Sequence, residues 1–140
     1  MTLTDWQTTW NQLGLSCPDG VFADLIARYG EPHRAYHTRE HLRECFAHFQ
    51  SARHLAEYPA EIELALWFHD AIYDPRRNDN EERSCELAVG ALSQSAAPPD
   101  LIVRVGNLIL ATQHSALPTV RDEQLLVDVD LSILAASPER

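Results

Sequence analysis

Three stretches of this chain set His and Asp side chains among residues that should be buried, and all three invite the same chemistry. The dipeptide His69–Asp70 directly follows Leu66–Trp67–Phe68. An imidazole and a carboxylate are costly to bury beside such residues unless something compensates them. A metal ion is one compensator and a salt bridge is another. Upstream, YHTREH places His37 and His41 four residues apart at the start of a helical pattern, and neutral imidazole is a common metal ligand. The segment lacks the Glu of a zinc-protease His-Glu-x-x-His, so that chemistry is excluded. Near the far end, LLVDVDLSIL sets Asp128 and Asp130 among Leu, Val and Ile. Two imidazoles with two carboxylates form a mixed N/O set suited to a mid-row divalent metal. Four such ligands on a six-coordinate ion leave two positions for water or substrate oxygens, as in catalytic rather than structural sites.

About seven segments, most of them helical in pattern, must position these groups. The first spans Thr4 or Asp5 to Leu13 and stops at Gly14. The second begins near Pro18–Asp19 and ends at Tyr29, with Gly30 as its C-cap. After the loop EPHRAY, Thr38 N-caps a long third helix expected to reach Tyr58. In it Leu42, Cys45, Phe46, Phe49, Ala52 and Leu55 recur at helical spacing and form one buried face. The fourth, Ala60 to about Tyr73, is apolar nearly all round from Ile62 to Phe68 and is expected to be central. A fifth helix starts near Asn80, Pro98–Pro99 opens a sixth, and a last runs from about Asp122 to Ala135. No alternating run and no Asn-Gly or Asp-Gly turn suggests a strand. The expected fold class is therefore all-α, a single helical domain over residues 1–140.

Composition narrows the function. A formal net charge of −10 argues against a broad nucleic-acid-binding face, which needs phosphate neutralisation. It leaves room for a small phosphorylated ligand, because a bound metal ion supplies positive charge locally. Cys17, Cys45 and Cys85 are dispersed and form no Cys-x-x-Cys pair, so they read as reduced thiols. The first residues carry neither a basic nor an apolar signal-peptide region, and no apolar run approaches a membrane span. A cytoplasmic location with no membrane partner is the expectation. Trp6 and Trp10 on the first helix are the candidates for a homodimer contact, with core packing as the alternative.

The motifs YHTREH, WFHDAIYD, NEERS, ATQH and DVDLSIL, in this order from Tyr36 to Leu134, resemble the HD superfamily of metal-dependent phosphohydrolases. The similarity is greatest to its small bacterial branch of predicted HD phosphohydrolases. This resemblance implies an HD-domain-like bundle of about six to seven helices, with His41, His69, Asp70 and Asp130 as metal ligands. It favours Asp130 over Asp128, because the late Asp of the family is followed by Leu or a basic residue. His37 resembles the His that protonates the leaving oxygen in cyclic-nucleotide phosphodiesterases. Asn80, Glu81 and Ser84 match the family's stretch, as substrate contacts or simply as caps of the fifth helix. Relatives generally continue for further helices beyond DLSIL, so the chain is expected to lack C-terminal helices that help to form their pocket.

Some residues near these motifs are ambiguous. Asp74 would share the helix face of Asp70 if the fourth helix continued, as a base or an orienting group; otherwise it is a turn residue before Pro75. His114 is a candidate for contact with a phosphate or a second metal. Arg76 and Arg77 read as phosphate ligands or as a solvated pair, and His33, His48 and His54 are assigned no role. The function implied is hydrolysis of a phosphomonoester or phosphodiester, including nucleotides, on Mn, Mg, Fe, Co, Ni or Zn. The ion would polarise a phosphoryl oxygen and acidify a water, with His37 or Asp74 managing the proton. The competing expectation is a non-catalytic, metal-stabilised module that binds a nucleotide or a partner.

Overall fold

A computed structural model describes residues 1–136. Among them are seven α-helices and no strand: α1 (Leu3–Gln12), α2 (Val21–Tyr29), α3 (Arg39–Ala52), α4 (Pro59–His69), α5 (Asn80–Gln94), α6 (Pro99–Ala111) and α7 (Arg121–Ala136). The all-α expectation holds. No helix of the described residues is long and apolar enough to cross a membrane.

α4 is the axis of the bundle. Every residue from Glu61 to His69 is buried, and α1, α3, α5, α6 and α7 all pack against it. An apolar surface that runs all round a helix leaves no solvent face, so neighbours must cover it on every side. Trp67 and Phe68 meet Trp6 at ring-centroid distances of 5.4 and 5.8 Å, and Trp6 meets Trp10 at 5.5 Å. Trp6 and Trp10 are thus core residues, only 1% and 0% exposed, and offer no dimer contact. Each such side chain contributes roughly 2–3 kcal/mol of burial, which holds α1 against α4.

Helix ends depart from the sequence expectation where tertiary partners intervene. α1 begins earlier, because Thr2 and Asp5 form a reciprocal capping box. α3 stops at Ala52 and passes through a 3-10 turn, Arg53–Leu55, rather than continuing to Tyr58. Asp122 of α7 accepts hydrogen bonds from the backbone N–H groups of Glu57 and Tyr58 at 2.8 and 2.9 Å, fixing them outside the helix.

α4 ends at His69 instead of near Tyr73, with Asp70 as its C-cap residue. Its last carbonyls are claimed by side chains. The Tyr29 hydroxyl donates to Trp67 O at 2.9 Å and accepts from the Asp70 N–H at 3.2 Å. The buried Arg34 guanidinium donates to the carbonyls of Asp70 and Ala71, each at 2.7 Å, and to that of His37 at 2.8 Å. Arg34 therefore ties the loop before α3 to the end of α4. Satisfying the orphan carbonyls this way removes any need for another helical turn.

Candidate metal centre

α3, α4 and α7 deliver the centre. His41 sits in the first turn of α3, His69 and Asp70 at the C-terminus of α4, and Asp130 two-thirds of the way along α7. His41 Nε2 lies 3.2 Å from Asp130 Oδ1 and 3.6 Å from Asp70 Oδ2. His69 Nε2 lies 3.1 Å from Asp70 Oδ2 and 3.5 Å from Asp130 Oδ1. All four residues proposed from the sequence as metal ligands converge. Asp128 is exposed on α7, so burial selects Asp130 as the resemblance did.

The state of His69 is legible from its surroundings. Its Nδ1 lies 2.7 Å from Leu66 O, and a carbonyl can only accept, so Nδ1 carries a proton. In the neutral ring Nε2 then holds the lone pair. That atom is fully buried, has no hydrogen-bond partner and faces two carboxylate oxygens. A lone pair aimed at anions is repulsive unless a proton or a metal ion stands between them. His41 has no such anchor on its other nitrogen: its Nδ1 is buried without a hydrogen-bond partner, and its polar contacts are made through Nε2.

Electrostatics follow the same geometry. Burial opposes charge on His69, but Asp70 and Asp130 outweigh it and raise the ring well above the ordinary imidazole range. Burial likewise opposes ionisation of Asp70, yet His69 and His37 hold its carboxyl far below the usual range. Asp130 is held low against burial by His114, His41 and His69. No Arg side chain among the described residues pairs with either carboxylate. The side chains that pair with these carboxylates among the described residues are imidazoles, which can give up a proton.

Two histidines flank the cluster on its more accessible side. His37 Nδ1 bonds Asp70 Oδ2 at 2.9 Å, its ring packs 4.5 Å from that of Tyr73, and 23% of its side chain is exposed. Burial lowers its affinity for a proton, but Asp70 prevails and raises it overall. His114 Nε2 lies 3.1 Å from Asp130 Oδ2, with 30% of its side chain exposed. His114 also adopts a left-handed backbone, φ 58°, an uncommon conformation for a side-chain-bearing residue. Such strain is tolerated where the surrounding structure fixes the residue, and here it turns the ring onto Asp130. Glu81 stands near enough to Asp70 that this charge joins burial in raising its carboxyl above the ordinary range.

Other candidates are engaged by neighbours in the loop before α5. The end of α4 at His69 removes the shared face on which a role for Asp74 depended. Its carboxylate instead accepts from the Arg76 backbone and guanidinium at 3.0 and 3.2 Å. Arg77 pairs with Asp79, so neither loop arginine is held for phosphate. Asn80 is bonded both ways to the Asp74 backbone, at 3.1 and 2.9 Å, which makes it a tether for the loop. Ser84 bridges to the Ile72 backbone in the same manner.

One member of the cluster was missed. Cys45, four residues after His41 on α3, brings its Sγ within 3.5 Å of His41 Nε2. The spacing is the signal, but Cys45 also fits the apolar stripe of α3 and reads there as core. Donor atoms of His41, Cys45, His69 and Asp130 all lie within 4.8 Å of one another, and those of His37, His41 and Asp70 form an overlapping set. A metal ion suits this donor set and would resolve the repulsion at His69 Nε2. A separate groove of about 510 Å³, lined by Thr9, Arg43, Arg53, Glu63 and Trp67 among others, does not include the cluster. No known protein family, curated protein or solved structure matches this chain, so the centre stands on its own geometry.

Proposed function

We propose that the protein is a metal-dependent phosphohydrolase of HD-superfamily type, acting on a phosphomonoester or phosphodiester, nucleotides included. The observation that carries this reading is the buried His69 Nε2, without a hydrogen-bond partner and directed with His41 Nε2 at the carboxylates of Asp70 and Asp130. His41, His69, Asp70 and Asp130 would hold the ion. A divalent cation so held supplies Lewis acidity toward a phosphoryl oxygen and lowers the pKa of a coordinated water.

The chain's own groups divide the remaining work. His37 is anchored to Asp70 through Nδ1, which leaves Nε2 to hand a proton to a leaving oxygen. His114 orients Asp130. Glu81, with its raised carboxyl, is a second proton carrier near the same mouth. The ion also offsets repulsion between an anionic substrate and a chain of net charge −10.

The test is a panel of phosphomonoesters, phosphodiesters and nucleotides assayed with protein loaded separately with Mn, Mg, Fe, Co, Ni and Zn. Turnover that a chelator abolishes and that His69→Ala lacks is the expected result. Metal uptake with tight nucleotide binding and no turnover of any substrate would replace the hydrolase by a binding module.

A further inference from the structure

We infer that Cys45 is a ligand of this centre through its sulfur, and that it biases the site toward borderline and soft divalent ions such as Zn, Co and Fe(II) over Mg and Mn. The inference rests on the metal-centre reading given above and deepens it.

Geometry carries it. Donors set about 109° apart on an ion, with metal–sulfur bonds of about 2.3 Å and metal–nitrogen or –oxygen bonds of about 2.0–2.1 Å, lie about 3.5 Å apart for S···N and about 3.3 Å apart for N···O, and Asp70 adds a fifth position. The Cys45 Sγ to His41 Nε2 distance is 3.5 Å. The His41 Nε2 to Asp130 Oδ1 and His69 Nε2 to Asp130 Oδ1 distances are 3.2 and 3.5 Å. Three edges of one coordination polyhedron are therefore already spaced for an ion. His69 Nε2, buried and without a hydrogen-bond partner, independently marks the same space as short of a cation.

The position is also suitable for a ligand in chemical terms. Cys45 is wholly buried, and its sulfur lies against His41 Nε2 within the cluster. As the metal–sulfur bond forms, the S–H bond breaks and its proton leaves to solvent, so loading releases a proton from this residue. Thiolate binds Zn, Co and Fe(II) more favourably than the hard ions Mg and Mn, whereas carboxylate and imidazole alone discriminate less. In this account Cys45 chooses the metal while His69, Asp70 and Asp130 retain it.

The test uses the full chain loaded with Co(II). A sulfur ligand gives an intense sulfur-to-cobalt charge-transfer band in the near ultraviolet, besides the visible ligand-field bands of bound cobalt. The expected result is both features in the unmodified protein, with Cys45→Ser keeping the visible bands and losing the ultraviolet one. The same substitution should shrink the Zn-over-Mn affinity ratio by at least about tenfold. Cys45→Ala provides a second variant if the serine hydroxyl disturbs the core. Visible bands without charge transfer in the unmodified protein would overturn the role of Cys45 and leave the metal centre standing. An ultraviolet band that persists in both variants would overturn it as well, by assigning the band to another thiol. Failure of the protein to bind cobalt at all would overturn the centre and this inference together.

Discussion

The two ends of α4 bury acidic groups in opposite ways. Toward its N-terminus, Glu61 receives a two-pronged pair from Arg104 at 2.8 Å for each bond, and Glu63 pairs with Arg53 and accepts from Thr9. Toward its C-terminus, Asp70 has only imidazoles around its carboxylate, as does Asp130 beside it. A guanidinium stays charged at every accessible pH and fills its place permanently. An imidazole can withdraw its proton and present a lone pair. The first arrangement closes a site, whereas the second leaves it open to exchange a proton for a metal ion. Arg34, buried near the second end, fits the contrast, because it spends its donors on backbone carbonyls and on Glu31.

This contrast can be broken most severely at Asp130. Asp130→Asn should reduce bound divalent metal from about one equivalent to background by elemental analysis, and remove phosphoester turnover with it. Retention of stoichiometric metal would show that the two ends of α4 do not differ as argued. The matching change at the other end is Arg104→Ala. It strands the buried Glu61, but Arg104 is partly exposed and water can reach the site, so the cost should be about 1–2 kcal/mol in denaturant unfolding while metal content stays unchanged. A finer cut is His114→Ala, which removes an orienting bond to Asp130 and should weaken metal affinity about 10- to 100-fold by competition titration.

The smallest effect is one of pH. Folded His69 holds its proton more tightly than the unfolded chain does, where an imidazole titrates near about 6.5. Its contribution is therefore complete below that pH and is lost as pH rises through the folded value. Metal-free protein should lose a few degrees of Tm as pH rises from about 6.5 into the alkaline range. Metal-loaded protein, in which the ion replaces the proton, should not show that decline. Parallel pH profiles for the two forms would contradict this exchange.

How much of this was legible beforehand depended on the range of the forces involved. His69–Asp70 and Asp130 stood out because charged groups in apolar runs need partners, a property readable from neighbours in sequence. The central place of α4 followed from its all-round apolar surface. The end of α4 was not readable, because Tyr29 and Arg34 set it from 36 to 41 residues away. The two readings of Asp74 hung on that boundary, and with α4 ending at His69 its carboxylate caps the turn through Arg76. The end of α3 was hidden for the same reason, being fixed by Asp122 from α7. Cys45 was concealed differently: its spacing from His41 and its place in the apolar stripe coincide, and packing alone shows which neighbour its sulfur meets.

The pairing of His41 with Asp130 spans 89 residues. An ion gripping both would act as a removable cross-link, closing most of the chain into a loop. For an unfolded polymer, imposing a closure of that length costs on the order of 4–5 kcal/mol in chain entropy. The folded bundle has already brought the two sites together, so the ion discriminates strongly in favour of the folded chain. Chelation should accordingly unfasten α7 first, exposing its backbone amides to hydrogen exchange well before those of α4.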